Sequence, residues 1–224
     1  GLEAPHRAAR GHRVELPPLA RSALERGEWE SIKPGDPRLA GAEYRIVAAP
    51  QASLEAAARA AAAQGVRPLI LSDRLEGEAR NVGRDMARLV RGVLERGEPC
   101  AAPCVLLSGG ETTVTVGGHG CGGRNVECLL AFGLELGPTA RIYALAGDTD
   151  GVDGMAPVAG AVWRPDTLAR AAALRLDPQR FLGDNDAHTF FRALGDSVVT
   201  GPTLTNVNDF RAALVVEAGE ADSE

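Results

Sequence analysis

Several kinds of protein are excluded by what this 224-residue chain does not contain. No apolar run approaches the ~20 residues that would span a bilayer, and no signal-peptide pattern opens the chain, so a soluble, cytoplasmic protein is expected. Lys and Arg form no basic block and the net charge is -6, which argues against a nucleic-acid surface. Aromatic residues make up only 4%, so the core must be filled by Ala, Leu and Val. None of the four cysteines, Cys100, Cys104, Cys121 and Cys128, stands in a Cys-x-x-Cys pair. Their spacing with His119 fits no usual zinc template, and reduced structural thiols are the simpler reading. No Gly-x-Gly-x-x-Gly follows the first predicted strand, where the turn is Ala49-Pro50-Gln51-Ala52-Ser53, and no Walker-type Gly-x-x-x-x-Gly-Lys-Ser/Thr occurs. The first residue is Gly1 rather than Met, which suggests a processed or truncated chain.

What is present reads as an α/β layered sheet with flanking helices. Gly1 to Gly41 is polar, with a short helix over Pro18–Arg26 and a Pro-Gly-Asp-Pro break at 34–37. Tyr44–Ala48 has strand composition, and an Ala-rich helix follows over about Ser53–Gln64, stopped by Gly65. Pro68–Leu71 reads as a strand and Gly77–Arg96 as a helix; Val105–Leu107 is the third strand. Strands and helices alternating at this spacing predict parallel pairing with right-handed crossovers. Thr113–Val116 alternates like a further short strand. A helix is expected from Arg124 through Leu136, then strands at Ile142–Ala146, Gly160–Trp163, Ser197–Val199 and Arg211–Glu217. A helix capped by Asp166 and a short one carrying Phe190, Phe191 and Leu194 lie between them. The final acidic residues are expected to fray.

Three stretches carry chemistry. In the first, Val105-Leu-Leu-Ser-Gly-Gly-Glu-Thr-Thr leads through Gly117, Gly118, Gly120, Gly122 and Gly123 into the helix that starts at Arg124. Glycines leading into a helix N-terminus with an arginine in its first turn suit an anion, through oriented amides, the helix dipole and a guanidinium fork. A plain glycine-rich loop, with Arg124 paired to Glu127, is the competing reading. In the second, Asp148, Asp150 and Asp153 leave the carboxyl end of a strand, where α/β sheets bind ligands, and three acids there suit Mg²⁺. An Asx-rich turn would have the same composition. The third, Thr200-Gly-Pro-Thr-Leu-Thr-Asn-Val-Asn-Asp209, has the hydroxyls and amides of a polar binding loop. His188, in a polar turn, reads as solvated or capping rather than catalytic.

Taken in order, Leu106–Val114, Gly122-Gly-Arg-Asn125, Asp148–Gly154, Asp184-Asn-Asp186 and Thr200–Asp209 resemble the C-terminal domain of the glycerate 2-kinases, the MOFRL family, whose members have also been labelled hydroxypyruvate reductase. Lys33–Leu39 and Leu75–Arg80 extend the resemblance upstream. It implies that residues 1–103 are the closing portion of an N-terminal Rossmann-like domain with its linker, that 104–224 form the MOFRL-type domain, and that the rest of the N-terminal domain, with a catalytic lysine, is missing. It also implies transfer of a phosphoryl group from ATP to D-glycerate with Mg²⁺, giving 2-phosphoglycerate. Arg124 and Asp150 would then be catalytic. Ser108, Gly109, Gly110, Glu111, Thr112, Gly122, Gly123, Asn125, Thr203, Thr205, Asn206 and Asn208 would contact substrate or phosphate, and Asp148, Asp150 and Asp153 the metal. Partners would be the two small substrates and the missing domain, with no nucleic acid or membrane; a homodimer is left open. Val126 and Cys128 stand where the family has Gln and Phe, Pro50-Gln51 where it has Ser-Asn, and Met155–Val158 lacks an expected acid. Reductase activity and a non-catalytic binding module are the alternatives. An Arg124→Ala change that removes activity without moving the melting temperature would favour the kinase.

Overall fold

The computed structural model describes residues 15–28 and 31–217. The start of the chain and the acidic residues after 217 expected to fray lie outside them. The chain forms two compact units, Gly1–Ile46 and Val47–Glu224. In the first, helix α1 (Pro18–Arg26) has proline in its first turn and closes on Gly27 in the left-handed conformation. A 3-10 turn at Pro37–Leu39 is capped by Asp36, whose carboxylate accepts the Arg38 amide at 2.9 Å. The strand expected at Tyr44–Ala48 does not form, and Tyr44 and Val47 lie exposed. β-branched composition makes a segment compatible with a strand, but only a neighbouring backbone makes it one.

The second unit is built from α2 (Pro50–Ala63), β1 (Arg67–Glu78), α3 (Ala79–Arg96), β2 (Cys104–Thr113), α4 (Arg124–Leu136), β3 (Ile142–Asp148), β4 (Gly160–Trp163), α5 (Thr167–Ala173), α6 (Pro178–Gly183), α7 (Ala187–Leu194), β5 (Ser197–Val198) and β6 (Asp209–Val215). The sheet order is β1-β2-β6-β3-β4-β5. Only β1 and β2 pair in parallel; the other ladders are antiparallel. The parallel pairing expected of the early strands holds for β1 and β2, whereas β6, the last strand, inserts between β2 and β3 running the opposite way. The β2–α4–β3 crossover therefore steps over a strand. Thr113 ends β2 and Val114–Val116 does not continue as a strand; instead the Glu78 carboxylate accepts the amide and hydroxyl of Thr115 at 3.0 and 3.1 Å.

Strand alternation divides the sheet into two faces. Leu106, Ala144, Ala146, Ala213 and Val215 face α3 and α4, meeting Met86, Val90, Leu129, Leu130 and Phe132 in the main core. Val105 and Leu107 point the other way and pack against Leu54 of α2. An α/β sheet with helices layered on it is what forms. Among the described residues no helix is long and apolar enough to cross a membrane.

Candidate active site at the carboxyl ends of the strands

Because β6 runs against both β2 and β3, those two strands share a direction with β1. The carboxyl ends of all three meet the amino end of β6 at one edge of the sheet. There Asp209 is in register with Gly110 on one side and Asp148 on the other. Alternation puts Asp148, Asp209 and Arg211 on the face that carries α4, and Arg124 is the first residue of that helix. Arg124 is the residue on which the carboxylates converge. Its Nη1 donates to Glu111 Oε1 at 2.5 Å and its Nη2 to Asp148 Oδ2 at 2.7 Å, with Asp209 Oδ1 3.5 Å away. It makes these contacts instead of the local pair with Glu127. Burial works to lower the Arg124 pKa, but the Asp209, Glu111 and Asp148 charges outweigh it and raise the value.

Two of these carboxylates are held rigidly. Asp209 is buried and paired with Arg211, itself 1% exposed, and also accepts Asn125 Nδ2 at 2.8 Å and the Thr112 amide at 3.3 Å. Arg211 in turn reaches Thr112 Oγ1 at 3.2 Å and the Gly109 carbonyl at 3.3 Å. Asp148 accepts the Asp150 amide at 3.1 Å, and burial first, then the Asp150 and Asp209 charges, push its carboxyl above the ordinary range despite that hydrogen bond. Glu111 is different: its side chain is 56% exposed and Arg124 is its only hydrogen-bond or ion-pair partner among the described residues.

The other two loops reach the same edge. Thr149 Oγ1 donates to the Asn208 carbonyl at 2.8 Å and accepts the Val207 amide at 2.9 Å. Asn206 Nδ2 donates to Asp150 Oδ2 at 3.2 Å, and Thr203 Oγ1 contacts the carbonyls of Thr149 and Thr205. Asp150, Thr203, Thr205, Asn206 and Asn208 thus form one polar rim beside Asp148. Asp153, expected beside Asp148 and Asp150 as a metal ligand, is engaged elsewhere. It is fully buried and accepts the amides of Asn125 and Val126 at 3.0 and 2.9 Å, so the anion at the N-terminus of α4 is an internal one. Among the described residues no group of three His, Cys, Asp or Glu converges as a metal cage.

The glycine loop is also occupied from within. The amides of Gly117 and Gly118 both donate to Asn185 Oδ1 at 2.9 Å, that of His119 to Asp184 Oδ1 at 2.9 Å and that of Cys121 to Asp186 Oδ1 at 2.8 Å. A Cβ on Gly118 would collide with the Asp184 backbone, and one on Gly123 with the Asp153 carboxyl. Close approach of protein accounts for the missing side chains at these glycines. Gly118, Gly120 and Gly123 do have Gly-x-Gly-x-x-Gly spacing before a helix, but the amides of residues 117–121 are bonded within the protein. Ser108 does not line the cleft: it is buried in the core, its hydroxyl 3.8 Å from Met86 Sδ.

Sequence reasoning missed the supports. Glu127, 1% exposed, binds Arg80 at 2.8 Å and Asn185 Nδ2 at 2.8 Å, tying α3, α4 and the 184–186 turn together. His188 is buried rather than solvated, and its Nε2 donates to the Asp153 carbonyl at 2.7 Å. Burial pushes the Cys128 thiol up to about 11 and that of Cys104 up to about 12, which suits structural thiols.

Fold and site together define an α/β domain that gathers an arginine and several carboxylates where strand ends meet a helix N-terminus. Residues 104–209 match the MOFRL family. The chain is 51% identical over 204 residues to an Agrobacterium vitis protein named "Putative hydroxypyruvate reductase", covering 90% of this chain and 46% of that one. It is 33% identical over 178 residues to a D-glycerate 2-kinase of Thermotoga maritima, covering 80% of this chain and 43% of the kinase. A crystal structure of a Thermotoga maritima glycerate kinase superposes with a TM-score of 0.84 at 28% identity, over 96% of this chain and 50% of that one. The chain spans about half the length of the relatives it matches.

Proposed function

We propose that this chain forms one wall of a cleft in which the γ-phosphoryl group of ATP passes to the 2-hydroxyl of D-glycerate, giving 2-phosphoglycerate. The domain boundary expected after residue 103 does not hold, because β1 pairs with β2 and α3 shares the core of α4 within the Val47–Glu224 unit, so in this reading that whole unit is the wall. The observation that carries it is Arg124, held at the strand edge by buried Asp148 and Asp209 with its side chain 28% exposed. Phosphoryl transfer depends on positioning and charge stabilisation, and a guanidinium fixed by its neighbours offers both to a carboxylate or a phosphoryl group. Glu111 and Thr112 stand beside it, and Asp150 with the 203–208 rim is placed to orient the attacking hydroxyl. Mg²⁺ keeps most of its water and takes one or two protein carboxylates together with substrate phosphates. Asp150, partly exposed, fits that role better than Asp148 or Asp153, which are committed elsewhere. When bound, the ion supplies neutralisation of phosphate charge.

Reduction of hydroxypyruvate is the second reading, favoured by the Agrobacterium vitis relative's name. Against it, the amides of residues 118–121 in the one Gly-x-Gly-x-x-Gly spacing are bonded to residues 184–186. ADP release on mixing the chain with ATP, Mg²⁺ and D-glycerate tests the first reading, and NAD(P)H oxidation with hydroxypyruvate the second. Phosphorylation is expected only when the remaining domain is supplied. Full turnover by the chain alone would overturn the half-cleft reading, and hydride transfer would overturn the kinase.

A further inference from the structure

Three carboxylates crowd one guanidinium, and with Arg211, which pairs with Asp209, the cluster stands formally at −1 before any substrate arrives. An anionic ligand cannot share Arg124 with all three. Asp148 and Asp209 are buried, 3% and 0% exposed, and each accepts a backbone amide, so moving either would strand a charge in the interior. Glu111 is half exposed, and neither an amide nor a second side chain holds its carboxylate among the described residues. Released from Arg124, it is hydrated at once.

We infer that Glu111 is a displaceable occupant of the Arg124 anion site: its carboxylate holds the guanidinium fork until the ligand's anionic group replaces it. This inference rests on the reading of Arg124 as an anion site and adds the competitor that sets the site's selectivity. A weak anion loses to Glu111, whereas a doubly charged oxyanion, which can bridge two N–H groups, displaces it. Glu76, in register beside Glu111 on β1, adds a like charge outside the fork and keeps Glu111 on Arg124 while no ligand is bound.

The probe is sulfate, whose charge does not change near neutral pH, titrated calorimetrically at constant ionic strength into the 224-residue chain and its variants. Glu111→Gln is expected to tighten sulfate binding about 2- to 5-fold, the range a partly exposed ion pair allows. Glu111→Asp, one methylene shorter, should tighten it less, and Arg124→Lys should weaken it. Equal or weaker binding by Glu111→Gln, beside saturable binding by the unaltered chain, would overturn the role of Glu111 and leave the anion site standing. Absence of saturable binding in both would overturn the site and the inference together. Circular dichroism of each variant separates these results from misfolding.

Discussion

Asp148 and Asp209 face each other across the β3–β6 ladder, and both carboxylates approach the same nitrogen, Arg124 Nη2, at 2.7 and 3.5 Å. Like charges directly opposite in an antiparallel pair repel, so the guanidinium between them is part of what lets the strands pair there. The proposed anion site and structural support therefore fall on one side chain. The expectation that Arg124→Ala would spare the melting temperature does not survive this geometry.

Arg124→Ala should lower stability by about 3 kcal/mol, the scale for removing one partner from a buried ion pair and leaving the other uncompensated. Arg124→Lys keeps the charge but not the fork, and should cost about 1 kcal/mol while still impairing anion binding. Urea unfolding of both variants checks this. Equal stability for the alanine variant and the unaltered chain would show that Asp148 and Asp209 do not depend on Arg124.

Burial raises the carboxyls of Asp148 and Asp153 above their ordinary range. The folded chain then holds protons that the unfolded chain has already released. The stability these two groups contribute is fully present below their unfolded pKa and is lost as pH rises through the raised one. Unfolding free energies measured between about pH 4 and pH 7 should show this decline. In Asp148→Asn the decline should be shallower, although the variant is less stable throughout. An unchanged slope would mean that Asp148 titrates normally in the folded state.

Much of this architecture is legible in the sequence. The α4 boundaries at Arg124 and Leu136 follow from apolar spacing and the glycines on either side, and the acidic stretch at the end of β3 from its composition. Strand direction is not legible, because the apolar alternation of β6 reads the same whichever neighbour it joins. Nor is the fate of the glycine loop: amides gathered by glycines look alike whether they meet a phosphate or the Asp184–Asp186 turn more than 60 residues further on. The Asp209–Arg211 pair was hidden for a related reason. An acid and a base two residues apart in a strand share a face, but only the fold buries that face.

Asp153 tests the claim that the anion at the N-terminus of α4 is internal. Its carboxylate accepts two backbone amides, and Asn125 Nδ2 lies 3.4 Å from it. Asp153→Ala leaves those donors buried without an acceptor, at a cost of about 2–4 kcal/mol. For a unit of this size that corresponds to a fall in melting temperature of roughly 5–15 °C. Sulfate should restore part of the loss if the vacated helix end accepts it, and a differential scanning calorimetry series in sulfate measures both effects. A loss under about 0.5 kcal/mol would show that Asp153 is dispensable to the helix.

Asn185 is the sharpest test of the glycine-loop assignment, because one atom separates it from aspartate. Its φ of 53° is accessible to either residue, and its Oδ1 acceptor for the Gly117 and Gly118 amides survives in Asn185→Asp. What changes is Nδ2, which donates to Glu127 Oε2 at 2.8 Å. Replaced by a carboxylate oxygen, it would set two buried acids against each other, and one must then hold a proton or be expelled. Asn185→Asp should therefore lose about 2–4 kcal/mol near neutral pH. The shared proton raises the pair's folded-state pKa above that of the unfolded acids, so the deficit should shrink as pH falls toward ~5. Urea midpoints at the two pH values decide it. A deficit independent of pH would mean that the turn, and not the Asn185–Glu127 contact, is what the substitution disturbs.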